Sequence, residues 1–349
     1  MNFMCHINFV LFMKKSFFIL NCVIMFIIWL SLSCTEDHRI PNYEERIVIA
    51  NRGGSSISFV DANSDQVIKT LTITGSEPMY VVYVAAKDKL YVGDRAGKKV
   101  HVVNPQTKEV ENAIPVGNGV FHMWADALGK QLWVNNDIDN TISVINLTTD
   151  KVETLIKLDE KPHDVFLTKD ATKAYVSILN PDAATPDKIV LFSMPSFKRI
   201  NEVNVGKDPH LFHLSKSNKL VVPCQSGQVF TLNGNDLNVL STSSYAGAHG
   251  IFPAPDENTV FVTNITGAQI YSINPADNIQ NRTVTASLTA TPHNVVANEA
   301  GSKLFVTHSG AAANTVSTYT VGSKSLTPGT TITVGTNPFG LAYYKREAK

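Results

Sequence analysis

The chain has 349 residues, 44% of them hydrophobic and 17% charged, which is enough apolar material for a large core. Lys+Arg and Asp+Glu both number 30, so the formal net charge is zero and no overall field draws a polyanion such as nucleic acid. The cysteines, Cys5, Cys22, Cys34 and Cys224, include no CxxC or CxxCH pattern and suggest no mature disulfide, which argues against a zinc ribbon and covalently attached haem.

In chain order, Lys14 and Lys15 lead into an apolar run from Phe17 to Leu32 that stops at Ser33-Cys34, before the polar stretch Thr35-Glu36-Asp37. Basic residues, an apolar run and a small residue in that order predict a signal peptide over 1–33, with Met13 as an alternative start. The run is short for a membrane span. Cys34, directly after the run, resembles the acylated cysteine of bacterial lipoproteins, although Ser31 stands where that family usually has Leu. The resemblance implies lipidation at Cys34, a linker over 34–45, and export to the bacterial outer membrane, facing either the periplasm or the surface.

From Arg46 onward one phrase returns: an apolar strand, a polar loop, an alternating strand, an Asn or Asp turn, a third strand, then Gly and Pro. Its anchor is an aliphatic residue at Ile49, Val92, Val134, Val176, Val222, Val262 and Val306, with steps of 43, 42, 42, 46, 40 and 44 residues. Short polar residues at Asp61, Asn104, Asn146, Asn233 and Asn274 mark the turns. Inner strands are expected to begin at Pro78, Val120, Pro162, Pro209, Ala248, Pro292 and Pro338. A four-stranded unit cannot bury both faces alone, so seven units must stack and close on one another. The fold expected over 46–349 is all-β: a seven-bladed β-propeller of four-stranded blades, in which the C-terminal strand, Phe339 to Tyr344, joins the first blade and removes an open edge.

The phrases LYVGD at Leu90, LWVNN at Leu132, VFVTN at Val260 and KPHDV at Lys161 resemble the YVTN-repeat family of seven-bladed β-propellers, which includes YncE-like and surface-layer-type proteins. The resemblance covers nearly all of residues 46 to 345. It implies the fold more than the function, because such rings include surface proteins, metal-binding proteins and relatives of lactonases and electron-transfer enzymes.

When the repeats are aligned, the first side chain of each inner strand is Met79, Phe121, His163, His210, His249, His293 and Phe339. Four successive blades therefore offer imidazole at one mouth of the channel. Antiparallel counting sets His308 opposite His293 and brings Cys224 near His210; His122 and His213 add further imidazoles nearby. Two to four of His163, His210, His249, His293 and His308, with Cys224 as a softer ligand, could hold zinc or copper. The competing reading has these histidines hydrogen-bonding between blades. Asp94, Arg95 and Asp164 are the nearest residues for lactonase-type chemistry, and no motif joins them, so no catalytic residue is assigned. The expected function is an envelope-anchored, non-enzymatic binding protein for a metal, a metal complex or a small ligand. A lactonase or oxidoreductase and a cell-surface scaffold for an envelope protein are the alternatives.

Overall fold

A computed structural model describes residues 42–348 apart from 195, 211, 278 and 324, so the expected signal peptide and Cys34 lie outside the described residues. Seven antiparallel sheets of four strands each form the ring, with three short 3-10 turns beside them among the described residues. No helix among the described residues is long and apolar enough to cross a membrane. Blades 2 to 7 each run from inner to outer strand in chain order, whereas blade 1 takes its inner strand, Pro338–Glu347, from the C-terminus. That strand pairs along Tyr43–Asn51, so the first blade also uses the last residues of the expected 34–45 linker.

The second strands are the most buried. Trp133, Tyr91, Tyr175, Phe261 and Phe305 lie on them with almost no exposure. Most of the apolar clusters draw side chains from neighbouring blades, which is why one blade could not fold by itself. The asparagine that closes the repeat motif is a strut. Asn51 Nδ2 donates to Ser56 and Ser58, and Asn136 Nδ2 donates to Thr141 and Ser143, at 2.9–3.1 Å, so each ties its strand to the next one. A Cβ on Gly117 or Gly335 would lie 2.6 Å from the Asn136 or Asn51 side chain, which explains the glycine that follows each outer strand there.

One departure from regular pairing builds the channel mouth. In blade 4, Pro162 pairs with Ile178, but the next pair is Val165 with Val176, so His163 and Asp164 bulge out of the ladder. Blades 2, 3, 6 and 7 carry the same one-residue bulge, at Pro78, Val120, Ala248 and Pro292. A bulge bends its strand and re-aims side chains. Here it leaves two successive residues of the inner strand, such as His163 and Asp164, outside the regular pairing. Blade 5 goes further: its inner strand is reduced to His213–Leu214 plus a single bridge from Pro209 to Cys224, instead of starting at Pro209 as the repeat predicts.

Candidate metal centre at the channel mouth

The bulged residues pack into a closed plug of rings. Phe121 stacks on His163 at 4.2 Å between centroids, and the series continues through His210, His249, His293 and Phe339 at 4.5, 3.7, 4.5 and 4.1 Å. Tyr80 closes the circle against Phe339 and Phe121. Tyr80, the residue after Met79, is the blade 2 ring in this circle, and Met79 is buried in the same apolar cluster as Phe121 and Phe339. All four histidines are buried.

Polar contacts gather on one side of the plug. His163 Nε2 lies 3.3 Å from His210 Nδ1, and His210 Nδ1 lies 3.4 Å from Asp164 Oδ2. The far nitrogen of His210, Nε2, is 3.0 Å from Asp208 Oδ1, which is also 3.5 Å from His163 Nε2. One ligand atom from each of His163, Asp164 and His210 falls within 4.8 Å of the others. His122 Nδ1 lies 3.7 Å from Asp164 Oδ1 and accepts the Val165 amide, so it donates no proton to that carboxylate.

The charges follow from this geometry. Burial alone would lower the His210 imidazole, but hydrogen bonds to Asp164 and Asp208 outweigh it and hold the group up at about 9. Burial would raise Asp164, yet His122, His210 and His163 keep its carboxyl well below the ordinary range. Burial and the His210 charge push His163 down to about 4, and they push His249 well below the usual imidazole value. The cluster therefore consists of one imidazolium between two carboxylates, flanked by neutral imidazoles. His163 Nδ1 and His249 Nδ1 are buried with no hydrogen-bond partner among the described residues.

His308 and Cys224 stand apart from the cluster. The bulge shifts the register by one residue, so His308 faces Pro292, and the expected His293–His308 pair does not form. His308 instead bonds the Ala290 carbonyl at 2.9 Å and Ser317 Oγ at 2.7 Å, which makes it a strut like the asparagines. Cys224 is opposite Pro209, inside an apolar cluster with Val205 and Leu220, and burial pushes its thiol up to about 12. Asp94 is engaged by His101 and by the Glu77 and Gly97 amides, and Arg95 is paired with Asp137 at 2.9 Å. Asp208 was not picked out by the sequence pattern. Its only signal is its place two residues before His210 in the Lys207-Asp208-Pro209-His210 phrase.

The remaining histidines affect stability. Burial, the largest influence in both cases, lowers His213 to about 4 and His293 to about 3, from an ordinary 6.5. The unfolded chain takes up these protons first, so stability that is present above pH 6.5 is lost as the pH falls toward those values. Urea unfolding midpoints are expected to drop steeply below pH 6.5, and His293→Gln should flatten part of that slope. An unchanged slope would show that His293 contributes nothing to it.

Residues 43–218 match the YNCE-like beta-propeller family. The chain belongs to that family. Among solved structures, the family's ring in this chain is similar to a periplasmic gluconolactonase of Pseudomonas aeruginosa, with TM-score 0.71, 13% identity, and coverage of 86% of this chain and 99% of that one. A 6-phosphogluconolactonase candidate from Bacteroides fragilis gives TM-score 0.70 at 14% identity, covering 86% and 98%. Hydrazine synthase of Kuenenia stuttgartiensis gives 0.66 at 14% identity, covering 75% and 88%. At these identities the likeness is one of fold. No curated protein sequence matches the chain.

Proposed function

We propose that this protein is an envelope-tethered binding protein whose propeller holds a zinc or copper ion on His163, Asp164 and His210. The observation that carries the reading is a set of distances. Ligands on a tetrahedral ion with bonds of about 2.0–2.1 Å stand ~3.3–3.4 Å apart. The His163–His210 and His210–Asp164 pairs have separations of 3.3 and 3.4 Å. Two imidazoles and a carboxylate suit zinc or copper(II), and the Asp208 carboxylate on the other side of His210 is the outer partner that ligating histidines commonly have. Metal would take the place of the His210 Nδ1 proton that faces Asp164 and His163, while Nε2 stays on Asp208, so binding is expected to release a proton near neutral pH.

Elemental analysis of protein purified without a histidine tag, followed by zinc and copper titration, tests this reading. One metal per chain is expected, with loss of binding in a His163→Ala/His210→Ala variant; equal binding by the two proteins overturns it. The tether rests on the Cys34 context, and palmitate labelling that persists in Cys34→Ala would remove it.

A second reading is a lactonase. Three protein ligands leave a coordination position for water, the arrangement found in catalytic zinc sites, and two of the similar rings carry gluconolactonase names. Hydrolysis of gluconolactone by the zinc-loaded protein, abolished in Asp164→Asn, supports it; absence of turnover sinks it.

A further inference from the structure

Residues 180–187 connect the second and third strands of blade 4; this eight-residue connection takes three to six residues in every other blade. Among near-equivalent units, a lengthened loop beside a site is where local specialisation resides. At its end lies Asp187, only 1% exposed. A buried carboxylate needs partners, and Asp187 has three. The Asn180 amide and Lys207 Nζ donate to Oδ1 at 2.8 and 2.6 Å, and the Asp208 amide donates to Oδ2 at 2.7 Å. The Lys207 ammonium also donates to the carbonyls of Asn180, Asp182 and Thr185 at 3.0, 3.2 and 3.1 Å. The extended hairpin of blade 4 is thereby tied to the segment entering blade 5.

The residue so tied is Asp208. Its φ is 55°, in the left-handed region that a non-glycine residue adopts only at a cost. Its side chain is 39% exposed, so burial does not hold it in place, yet its carboxylate lies 3.0 Å from His210 Nε2 and 3.5 Å from His163 Nε2. The backbone there is held from two sides: the Asp208 carbonyl accepts from the Gln225 amide at 3.0 Å, within blade 5, and the Asp208 amide donates to Asp187, which is the tie that reaches across from blade 4.

We propose that Asp187, with Lys207, is a positioning pair that fixes Asp208 against His210 and His163 and so sets the orientation of the two imidazoles. Its consequence for metal affinity rests on the metal reading above. Neither residue touches the metal. They act one step behind Asp208, and outer partners of ligating histidines change affinity by about 10–100-fold when removed.

The test compares wild type, Asp187→Asn, Asp208→Asn and the double variant, all in the full mature chain. Zinc affinity, read by competition with a chromophoric chelator, is expected to fall at least about tenfold in each single variant. The double variant should bind about as well as Asp208→Asn alone, because Asp187 acts through Asp208. In metal-free protein, amide exchange over 207–210 should accelerate in Asp187→Asn while exchange over 303–308 in blade 7 stays unchanged. Wild-type zinc affinity in Asp187→Asn, losses that multiply in the double variant, or equal acceleration in both segments overturns the proposal. Should wild type bind no zinc, the metal reading fails by itself and exchange over 207–210 decides the positioning role: unchanged protection there overturns it. Lys207→Met keeps the Asp187–Asp208 amide bond but removes the cation that holds the Asp187 carboxylate, so a smaller loss in the same direction is expected; it carries the test if Asp187→Asn does not fold, and wild-type zinc affinity with unchanged exchange over 207–210 then overturns the proposal.

Discussion

His210→Ala is expected to lower zinc affinity by at least the roughly 10–100-fold that loss of an outer partner alone would cost, and also to destabilise the metal-free protein. The two effects share one cause. His210 is the cation between Asp164, whose side chain is fully buried, and Asp208. Its removal takes away the nitrogen that the metal reading proposes as a ligand and leaves two carboxylates facing each other across the gap. Removing one partner of a buried ion pair costs about 3–5 kcal/mol. Zinc titration and urea unfolding at neutral pH read the two effects separately. His308→Gln is the contrasting variant: it breaks the strut to Ser317 and Ala290 but leaves the cluster intact, so stability should fall while zinc affinity stays at the wild-type value. Equal zinc affinity in wild type and His210→Ala would remove His210 from the site.

Truncation before Pro338 is expected to be the most damaging change to the fold, lowering the melting temperature by at least about 10 °C or leaving no soluble ring. The deleted strand pairs along Tyr43–Asn51, from Tyr43 with Glu347 to Asn51 with Pro338, and without it blade 1 loses its inner strand. Tyr344, 1% exposed, packs with Val48, Phe59 and Leu90, and its ring stacks on Tyr83 at 4.8 Å. Each such side chain contributes about 1.5–3 kcal/mol by burial. Arg346 then locks the closure, with Nε and Nη2 each 2.8 Å from an Asp88 oxygen and Nη1 2.7 Å from Glu44. Arg346→Ala alone should cost about 1.5–3 kcal/mol, seen as a lower denaturant midpoint. The same strand brings Phe339 onto His293, and its carbonyl accepts from Asn294 and Thr307 at 3.0 and 2.9 Å, so truncation also opens the histidine plug.

The four mouth histidines were legible in the sequence because equivalent residues of a repeat occupy equivalent places in a ring. His163, His210, His249 and His293 are indeed neighbours across four blades. Asp164 stood out only as an isolated acid, and Asp208 did not stand out at all. The repeat ranks positions by similarity, and these two matter because they differ from their counterparts. His308 and Cys224 were drawn toward the site by counting along a regular ladder. Each inner hairpin they were counted on departs from regular pairing, and a one-residue shift changes which side chain faces the channel.

The sequence by itself determined the ring: seven anchors at steps near 43 residues, Asn and Asp turns between strands, and a C-terminal strand to complete the blade opened at the N-terminus. These features are local or periodic, and alternation of side chains along a strand is enough to read them. Only the tertiary structure decided what the mouth holds. The contacts joining Asp164, His210 and Asp208 cross between blades 4 and 5, and they depend on bulges that add one residue to a strand without altering its apolar pattern. Hydrophobic periodicity reports which face is buried; it carries no record of a bulge that takes two successive residues out of the regular ladder.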